Sequence, residues 1–144
     1  MANIIYSTDI PDRVAYFNLF VTTGWNDKYK ATPDDLMKAL ENSWHLVSAY
    51  DGETLVGFGR VMSDSALHAV ILDLIVHPSH QQQGIGSEIL SRLLQACNDQ
   101  GITDIQLFSA HGKASFYKKH GFVPRPRSAP GMELSDPAKT SNHR

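Results

Sequence analysis

The chain has 144 residues, of which 42% are hydrophobic and 19% charged, and these values fit one ordinary globular domain. Its net charge of −2 argues against nucleic-acid binding, which usually requires a basic surface. The single cysteine, Cys97, excludes an internal disulfide and favours the reducing cytoplasm. Met1–Arg13 lacks the apolar core of a secretory signal, and no apolar stretch approaches the length that crosses a bilayer.

The N-terminal part of the chain predicts one strand and one helix. A short strand is predicted over Ile4–Tyr6. Apolar residues at helical spacing then predict a helix over residues 12–22, buried through Val14, Phe17 and Val21, with Phe20 beside the same face. Residues three and four positions apart lie on one side of a helix, so these side chains should face the core together.

A second helix is predicted from Thr32, which is followed by Pro33. Threonine at this position accepts hydrogen bonds from the unpaired N–H groups of the first turn, and proline fits the first helical position. Leu36, Ala39 and Leu40 should form the buried side of this helix. The sequence therefore indicates both where the helix begins and which side it buries.

Three strands are predicted in the next part of the chain. Asp51-Gly52 separates the apolar stretches Trp44–Tyr50 and Thr54–Met62, and Asp-Gly is typical of a tight hairpin turn. A longer and more apolar strand is predicted over Leu67–Val76. The first two strands should therefore pair antiparallel.

A Gln/Gly loop between this long strand and a helix is the most informative feature. The strand ends before Pro78, and Gln81–Gly86 opens directly into an amphipathic helix. A helix start carries unpaired N–H groups and the positive end of the helix dipole, and glycines leave room for a phosphate. The loop therefore predicts a pyrophosphate site formed by the main-chain N–H groups of residues 82–87.

A helix, a strand and a second helix complete the predicted elements. Buried positions of the central helix recur every four residues, at Ile85, Ile89, Leu93 and Cys97. Gly101 should end this helix, a strand is predicted over Ile105–Phe108, and a further helix over Gly112–His120. Helices interleaved with hairpin-joined and then crossover-joined strands predict an α/β fold, a mixed sheet covered on both faces.

Two other phosphate-binding motifs do not fit the Gln/Gly loop. A dinucleotide-binding Gly-x-Gly-x-x-Gly sequence fails because Ile89 holds the place of its third glycine. The acidic residue expected at the end of a second strand about twenty residues later is also missing. A P-loop fails because its Lys-Ser/Thr pair is missing.

Two motifs resemble those of the GNAT N-acetyltransferases. Residues 81–86, Gln-Gln-Gln-Gly-Ile-Gly, are similar to the family's (Arg/Gln)-x-x-Gly-x-(Gly/Ala) signature, in its usual place between a Val-x-Pro strand exit and a long helix. Residues 114–122, Ala-Ser-Phe-Tyr-Lys-Lys-His-Gly-Phe, are similar to its second motif, which begins with alanine and ends in Phe-Tyr-x-x-x-Gly-Phe. The resemblance is close over Leu67–Val123 and looser upstream, where Gly24-Trp25 and Gly57-x-Gly59-Arg60 also match.

This resemblance implies the GNAT acyltransferase fold, with a central, mostly antiparallel sheet flanked by helices on both faces. It implies a single domain over residues 1–134, followed by a loose tail over 135–144. The implied reaction transfers the acetyl group of acetyl-CoA to a primary amine in a ternary complex, without a metal. The implied coenzyme-binding residues are Leu74, Ile75, Val76, Gln81, Gln82, Gln83, Gly84, Ile85, Gly86, Ser87, His111, Phe116 and Tyr117.

Catalytic roles also follow from the resemblance. Tyr117 matches the tyrosine that acts as general acid near the sulfur, and the N–H of Ile75 or Val76 matches the oxyanion donor. His111 stands where many members carry an asparagine, and histidine titrates near pH 6.5, unlike an amide. A covalent acetyl-cysteine is not expected, because Cys97 falls on the apolar side of the central helix.

Asp73 has two interpretations. It interrupts an apolar strand, and strict alternation places its carboxylate on the opposite face from Leu72 and Leu74. A carboxylate there must face a cleft or a partner, so it is either the base, acting through a water, or an ion-pair partner of Arg60. His77 is the alternative base.

The acceptor site is predicted from the loop between the first two helices. Trp25, Asn26 and Tyr29 are its candidate wall residues, although Trp25 and Tyr29 could equally form a hydrophobic pair. A small-molecule amine, such as an amino-sugar-like one, is favoured over a protein or peptide amine. Lys113 and Lys118 are candidates for the adenosine phosphate, and both could equally be solvated.

A different class of function remains open. An acetyltransferase-shaped domain could bind acetyl-CoA as a non-catalytic sensor, and retention of Tyr117 favours the enzyme instead. No nucleic acid, membrane or metal partner is expected. The resemblance and the proline-rich C-terminal segment together allow a homodimer.

Overall fold

Five strands form one mixed sheet in the order β1-β2-β3-β4-β5 in the computed structural model, which describes residues 3–135. Neighbouring strands run antiparallel, except for β4 and β5, which are parallel. The strands are β1 (Ile4–Ser7), β2 (His45–Asp51), β3 (Thr54–Ser63), β4 (His68–Val76) and β5 (Asp104–Leu107). The helices are α1 (Arg13–Val21), α2 (Asn26–Tyr29), α3 (Pro33–Glu41), α4 (Ile85–Gln100) and α5 (Ala114–Lys119).

The described residues divide into two compact units, 3–108 and 109–135. The first unit holds the sheet and helices α1 to α4, and the second holds α5. The single domain over residues 1–134 stays a prediction, and all of the expected loose tail except Ser135 lies outside the described residues. Within residues 3–135, no helix has the length and apolar character needed to cross a membrane.

Helices α1 and α3 cover one face of the sheet. Tyr16, Leu19 and Phe20 are the buried residues of α1, and the Tyr16 ring meets Phe58 of β3 edge-on at 4.6 Å between centroids. The buried face predicted for α1 is wrong at Val14 and Val21, which are exposed, whereas Phe20 is buried and Phe17 packs half-buried against the core. The aromatic side chains bury more apolar surface than the valines, so they decide which side of α1 faces the sheet.

The start of α3 agrees with its prediction. Thr32 accepts a hydrogen bond from the N–H of Asp35, and the Asp35 carboxylate accepts one from the N–H of Thr32. This reciprocal capping box satisfies two backbone donors that would otherwise lack partners. Leu36 and Leu40 are buried against the sheet as expected.

Helix α4 covers the opposite face and approaches β3 closely. Its residues Ile85, Ile89, Leu93 and Cys97 are all buried, as predicted. A side chain at Gly59 would begin 2.9 Å from both the Ile89 and Leu93 side chains, which is too close for a carbon contact. Glycine is therefore required on this face of β3 for α4 to pack against it.

A β-bulge in β4 changes the direction of Asp73. Two β4 residues, Asp73 and Leu74, oppose the single β3 residue Gly59, and Asp73 has a left-handed φ of +54°. Asp73 and Leu72 line one cavity on the α1/α3 face, whereas Leu74 approaches Gly59 on the α4 face. The prediction that Asp73 and Leu72 face opposite ways is wrong, because the bulge inserts an extra residue into the alternation.

Candidate active site

One edge of β4 lacks a strand partner over part of its length. β5 pairs with residues 68–71 of β4, and β4 continues to Val76. Within residues 3–135, no strand pairs with this side of Leu72–Val76, which we call the open edge. Peptide groups at such an edge can hydrogen-bond an extended ligand as they would a further strand.

The register of β4 identifies which N–H groups face the open edge. The N–H of His77 donates to the carbonyl of Val56 at 2.8 Å, and therefore points toward β3. Consecutive residues of an extended strand point their peptide groups to opposite sides. The N–H of Ile75 therefore faces β3, whereas that of Val76 faces the open edge. Between Ile75 and Val76, the register favours Val76 as the donor to a ligand.

The Gln/Gly loop turns back toward this edge. The side-chain amide of Gln81 donates to the carbonyl of Val76 at 3.2 Å. Gln82 and Gly84 both have left-handed backbone conformations, with φ of +63° and +82°. Gly84 has open space where a side chain would begin. The loop is therefore a sharply turned segment whose main chain is accessible near Gly84.

Helix α4 begins directly after this loop. Its first backbone hydrogen bond runs from the N–H of Glu88 to the carbonyl of Gly84 at 3.0 Å. The N–H groups of Ile85 and Gly86 precede this bond and have no acceptor within the helix. The helix extends to Gln100, so its dipole adds positive potential at these donors. This arrangement can bind a diphosphate.

A side-chain network holds the turn that precedes the loop. His80 Nε2 lies 2.9 Å from a carboxylate oxygen of Asp51, at the end of β2, and His80 Nδ1 lies 2.7 Å from the Ser79 hydroxyl. His77 Nδ1 accepts a hydrogen bond from the N–H of Ser79. His77 therefore caps this turn, and the network fixes the point from which the Gln/Gly loop departs.

A cavity of about 420 Å³ lies on the α1/α3 face of the first unit. Asp73 and Arg60 line it, and Arg60 Nε donates to Asp73 Oδ2 at 2.7 Å. The structure therefore contains the ion pair between Asp73 and Arg60 that the sequence suggested. The Asp73 carboxylate also borders a cavity, which a role as the base would require. Since Leu72 and Asp73 begin the open edge, the cavity meets β4 where β5 pairing ends.

The predicted acceptor-site residues have different surroundings. Tyr29 lines the cavity and is 63% exposed. Trp25 packs edge-on against Phe20 at 5.9 Å, and the side-chain amide of Asn26 makes two hydrogen bonds to the backbone of Ala31. The short helix α2, which the sequence did not predict, holds Asn26 and Tyr29, and Trp25 directly precedes it. Their roles in binding an acceptor stay predictions.

Tyr117 lies in α5 of the second unit and is buried there, with 9% of its surface exposed. Its ring meets Phe116 at 5.1 Å and Phe122 at 6.0 Å, both nearly edge-on. Burial raises the pKa of the Tyr117 phenol above its usual 10, so the hydroxyl keeps its proton at neutral pH. His111, Lys113 and Lys118 of the same unit are exposed.

Two further kinds of group are possible metal ligands and the cysteine thiol. Within residues 3–135, no three His, Cys, Asp or Glu side chains are grouped to hold a metal ion. Cys97 is fully buried in α4, and burial raises the pKa of its thiol. A neutral, enclosed thiol is a poor nucleophile, which agrees with its expected role in packing.

Comparison with known proteins adds a family match. A family model described as an acetyltransferase (GNAT) domain matches residues 42–124, more than half of the chain. The chain is 37% identical over 98 residues to the uncharacterized N-acetyltransferase ycf52 of Pyropia yezoensis. That match covers 65% of this chain and 56% of the relative, so the chain spans little more than half the relative's length.

Solved structures share the same architecture. A probable acetyltransferase of unknown function from meticillin-resistant Staphylococcus aureus superposes with a TM-score of 0.82 at 27% identity, covering 93% of this chain and all of that one. The PaiA N-acetyltransferase of Thermoplasma acidophilum, solved in complex with coenzyme A, gives a TM-score of 0.70 over 85% of this chain and 91% of that one. At 19% identity, this second likeness shows the fold alone.

Proposed function

Because the chain belongs to the GNAT acetyltransferase family, we propose that it transfers the acetyl group of acetyl-CoA to a primary amine of a small molecule. The family and fold predicted from the two motifs are confirmed. The observation that carries the proposal is the pairing, within one unit, of the open edge of β4 with the amide-lined start of α4. A cytoplasmic location and a homodimer stay predictions.

The residues present fit acetyl-CoA, which supplies an activated acetyl thioester. The N–H groups of Ile85 and Gly86 and the accessible main chain at Gly84 suit its diphosphate. The N–H and carbonyl of Val76 suit the amides of its pantetheine arm. The Gln81 side chain already bonds to that carbonyl, which keeps a second lone pair for a further donor.

Two groups of the chain would assist the transfer. Attack on the thioester would place negative charge on its carbonyl oxygen, and the N–H of Val76 at the open edge can stabilise that charge. The departing thiolate gains from a proton, and Tyr117 is proposed as its donor. The raised pKa of Tyr117 suits this role, since only the protonated phenol can donate.

Asp73→Asn tests Asp73 as the base. If Asp73 accepts the proton of the amine, directly or through a water, the variant should lower kcat while the KM for acetyl-CoA stays unchanged. A kcat equal to that of the wild type would assign the base to His77 or to solvent. Thermal unfolding of the variant is the control, because Asp73 also pairs with Arg60.

Coenzyme binding and thiol release together test the proposed function. A thermal shift with acetyl-CoA alone reports binding, and thiol release against a panel of amines reports transfer. We expect both. A thermal shift with acetyl-CoA but no thiol release with alkylamines, amino sugars or lysine peptides would instead support a non-catalytic acetyl-CoA sensor. No shift would contradict both coenzyme-dependent functions.

A further inference from the structure

The hydroxyl of Tyr16 has no hydrogen-bond partner among the described residues, although it is buried. Tyr16 belongs to α1, is 1% exposed, and forms part of the wall of the cavity described above. A buried hydroxyl without a partner destabilises a protein, and phenylalanine would fill the same space without that cost. A tyrosine at this position therefore calls for an explanation outside the packing of the core.

The same wall carries one ion pair. Burial is the main cause, and the negative charge of Asp73 the second, that raises the pKa of Tyr16 above its usual value. The phenol is therefore neutral. Arg60 is the only cation among the lining residues, and its guanidinium bonds to Asp73, to the Ser43 hydroxyl and to the Ala39 carbonyl. Oδ1 of Asp73 makes no hydrogen bond within residues 3–135.

The remaining wall of the cavity is mostly apolar. Asp35 is its other charged residue, and both Asp35 and Thr32 are committed to the capping box of α3. The apolar lining residues are Phe20, Ala31, Leu36, Ala39, Leu40 and Leu72. A volume of about 420 Å³ lies within the range of small-molecule sites.

We propose that this cavity binds the acetyl acceptor, and that the acceptor is a primary amine carried on an apolar body. The amine lies beside Asp73, one of the lining residues, where it donates to Asp73 Oδ1 and to the oxygen of the Tyr16 hydroxyl. The Tyr16 hydroxyl is closed to water in the free protein, so the contact between the amine and this hydroxyl requires a small shift of the cavity wall. This inference rests on the proposed function.

Amino sugars fit this cavity less well. Each sugar hydroxyl placed against an apolar wall loses its hydrogen bonds to water without replacement. The lining therefore favours an alkyl-type amine over the amino-sugar-like acceptor considered from the sequence.

Tyr16→Phe tests the hydroxyl. We expect the KM for n-hexylamine to rise about tenfold or more, with the KM for acetyl-CoA unchanged and the melting temperature unchanged or higher. Greater stability combined with weaker amine binding would not arise from a purely structural tyrosine. Tyr6→Phe is the matched control, because Tyr6 packs against Arg92 of α4, away from this cavity, and its kinetics should equal those of the wild type. An unchanged KM for n-hexylamine in Tyr16→Phe overturns the proposal.

A second variant tests the size of the cavity. Ala39→Leu should fill part of it, raising the KM for n-hexylamine more than that for ethylamine, while the coenzyme still binds. Equal effects on both amines would overturn the assignment. Wild-type protein should also prefer n-hexylamine over glucosamine and over a lysine peptide by at least about tenfold in kcat/KM. A preference for either competitor contradicts the proposed acceptor class.

Direct titration of n-hexylamine by calorimetry separates this inference from the proposed function. If the wild type releases no thiol with any amine, the proposed function fails, while amine binding that weakens in Tyr16→Phe still supports the pocket. If thiol is released but calorimetry and kinetics are the same for the wild type and Tyr16→Phe, the pocket assignment fails and the function stands.

Discussion

Val76→Pro is expected to lower kcat/KM for acetyl-CoA by about 10²–10³-fold while the protein remains folded. Proline removes one backbone N–H and leaves the carbonyl in place. The register of β4 directs the N–H of Val76 to the open edge, so no hydrogen bond to β3 is lost. Proline is tolerated in strands at such edge positions. The loss would come from a missing donor to the pantetheine arm or to the developing oxyanion.

Two control variants make this result specific. Val76→Ala keeps the N–H and should retain activity close to that of the wild type. Ile75→Pro removes an N–H that faces β3, so it should lower the melting temperature more than Val76→Pro does. Thiol release and thermal unfolding measure these effects. A folded Val76→Pro protein with nearly full activity would remove the open edge from the mechanism.

Elements with strong local signals could be predicted from the sequence. Helix α4 follows its four-residue apolar repeat from Ile85 to Cys97, and it ends at Gly101, which has a left-handed φ of +82°. The capping box at Thr32 is equally local, because it depends on neighbours three residues away. The hairpin at Gly52 follows from its turn residues. Each signal lies within one element and its ends.

The direction of the Asp73 side chain could not be predicted in the same way. Alternation assumes a regular strand, and the bulge at Asp73 depends on how β4 aligns with Gly59 of β3. The buried side of α1 likewise depended on Phe58, which lies on a distant strand. Both features arise from contacts between elements that are far apart in the sequence. The residue pattern within one strand or one helix does not show which other element it contacts.

The candidate site combines both kinds of information. The Gln/Gly motif locates the anion-binding start of α4 because its glycines and its helix are adjacent in the sequence. The choice of Val76 over Ile75 required the register, and the cavity behind Asp73 required the packing of α1 and α3. Sequence reasoning therefore located the proposed coenzyme side of the site more completely than the proposed acceptor side. Tyr16, the residue we assign to the acceptor, had no recognisable motif.

Tyr117→Phe is expected to lower kcat by about ten- to a thousandfold with little change in the affinity for acetyl-CoA. The change removes one hydroxyl and keeps the ring that packs against Phe116 and Phe122, so the protein should remain folded. A general acid acts on the departing thiolate, so its removal affects the chemical step more than binding. Thiol-release kinetics and coenzyme titration measure the two quantities separately.

The pH dependence provides an independent check on Tyr117. Since burial raises its pKa above the usual 10, the phenol holds its proton at every pH below about 10, and the wild type should show no basic limb from this group in that range. The leaving group is the coenzyme A thiolate whichever amine attacks, so this test can be run with any acceptor. Tyr50→Phe, a change of the same kind on β2, should leave kcat unchanged. If Tyr117→Phe has the wild-type kcat at all pH values, the departing thiolate takes its proton from another group or from solvent.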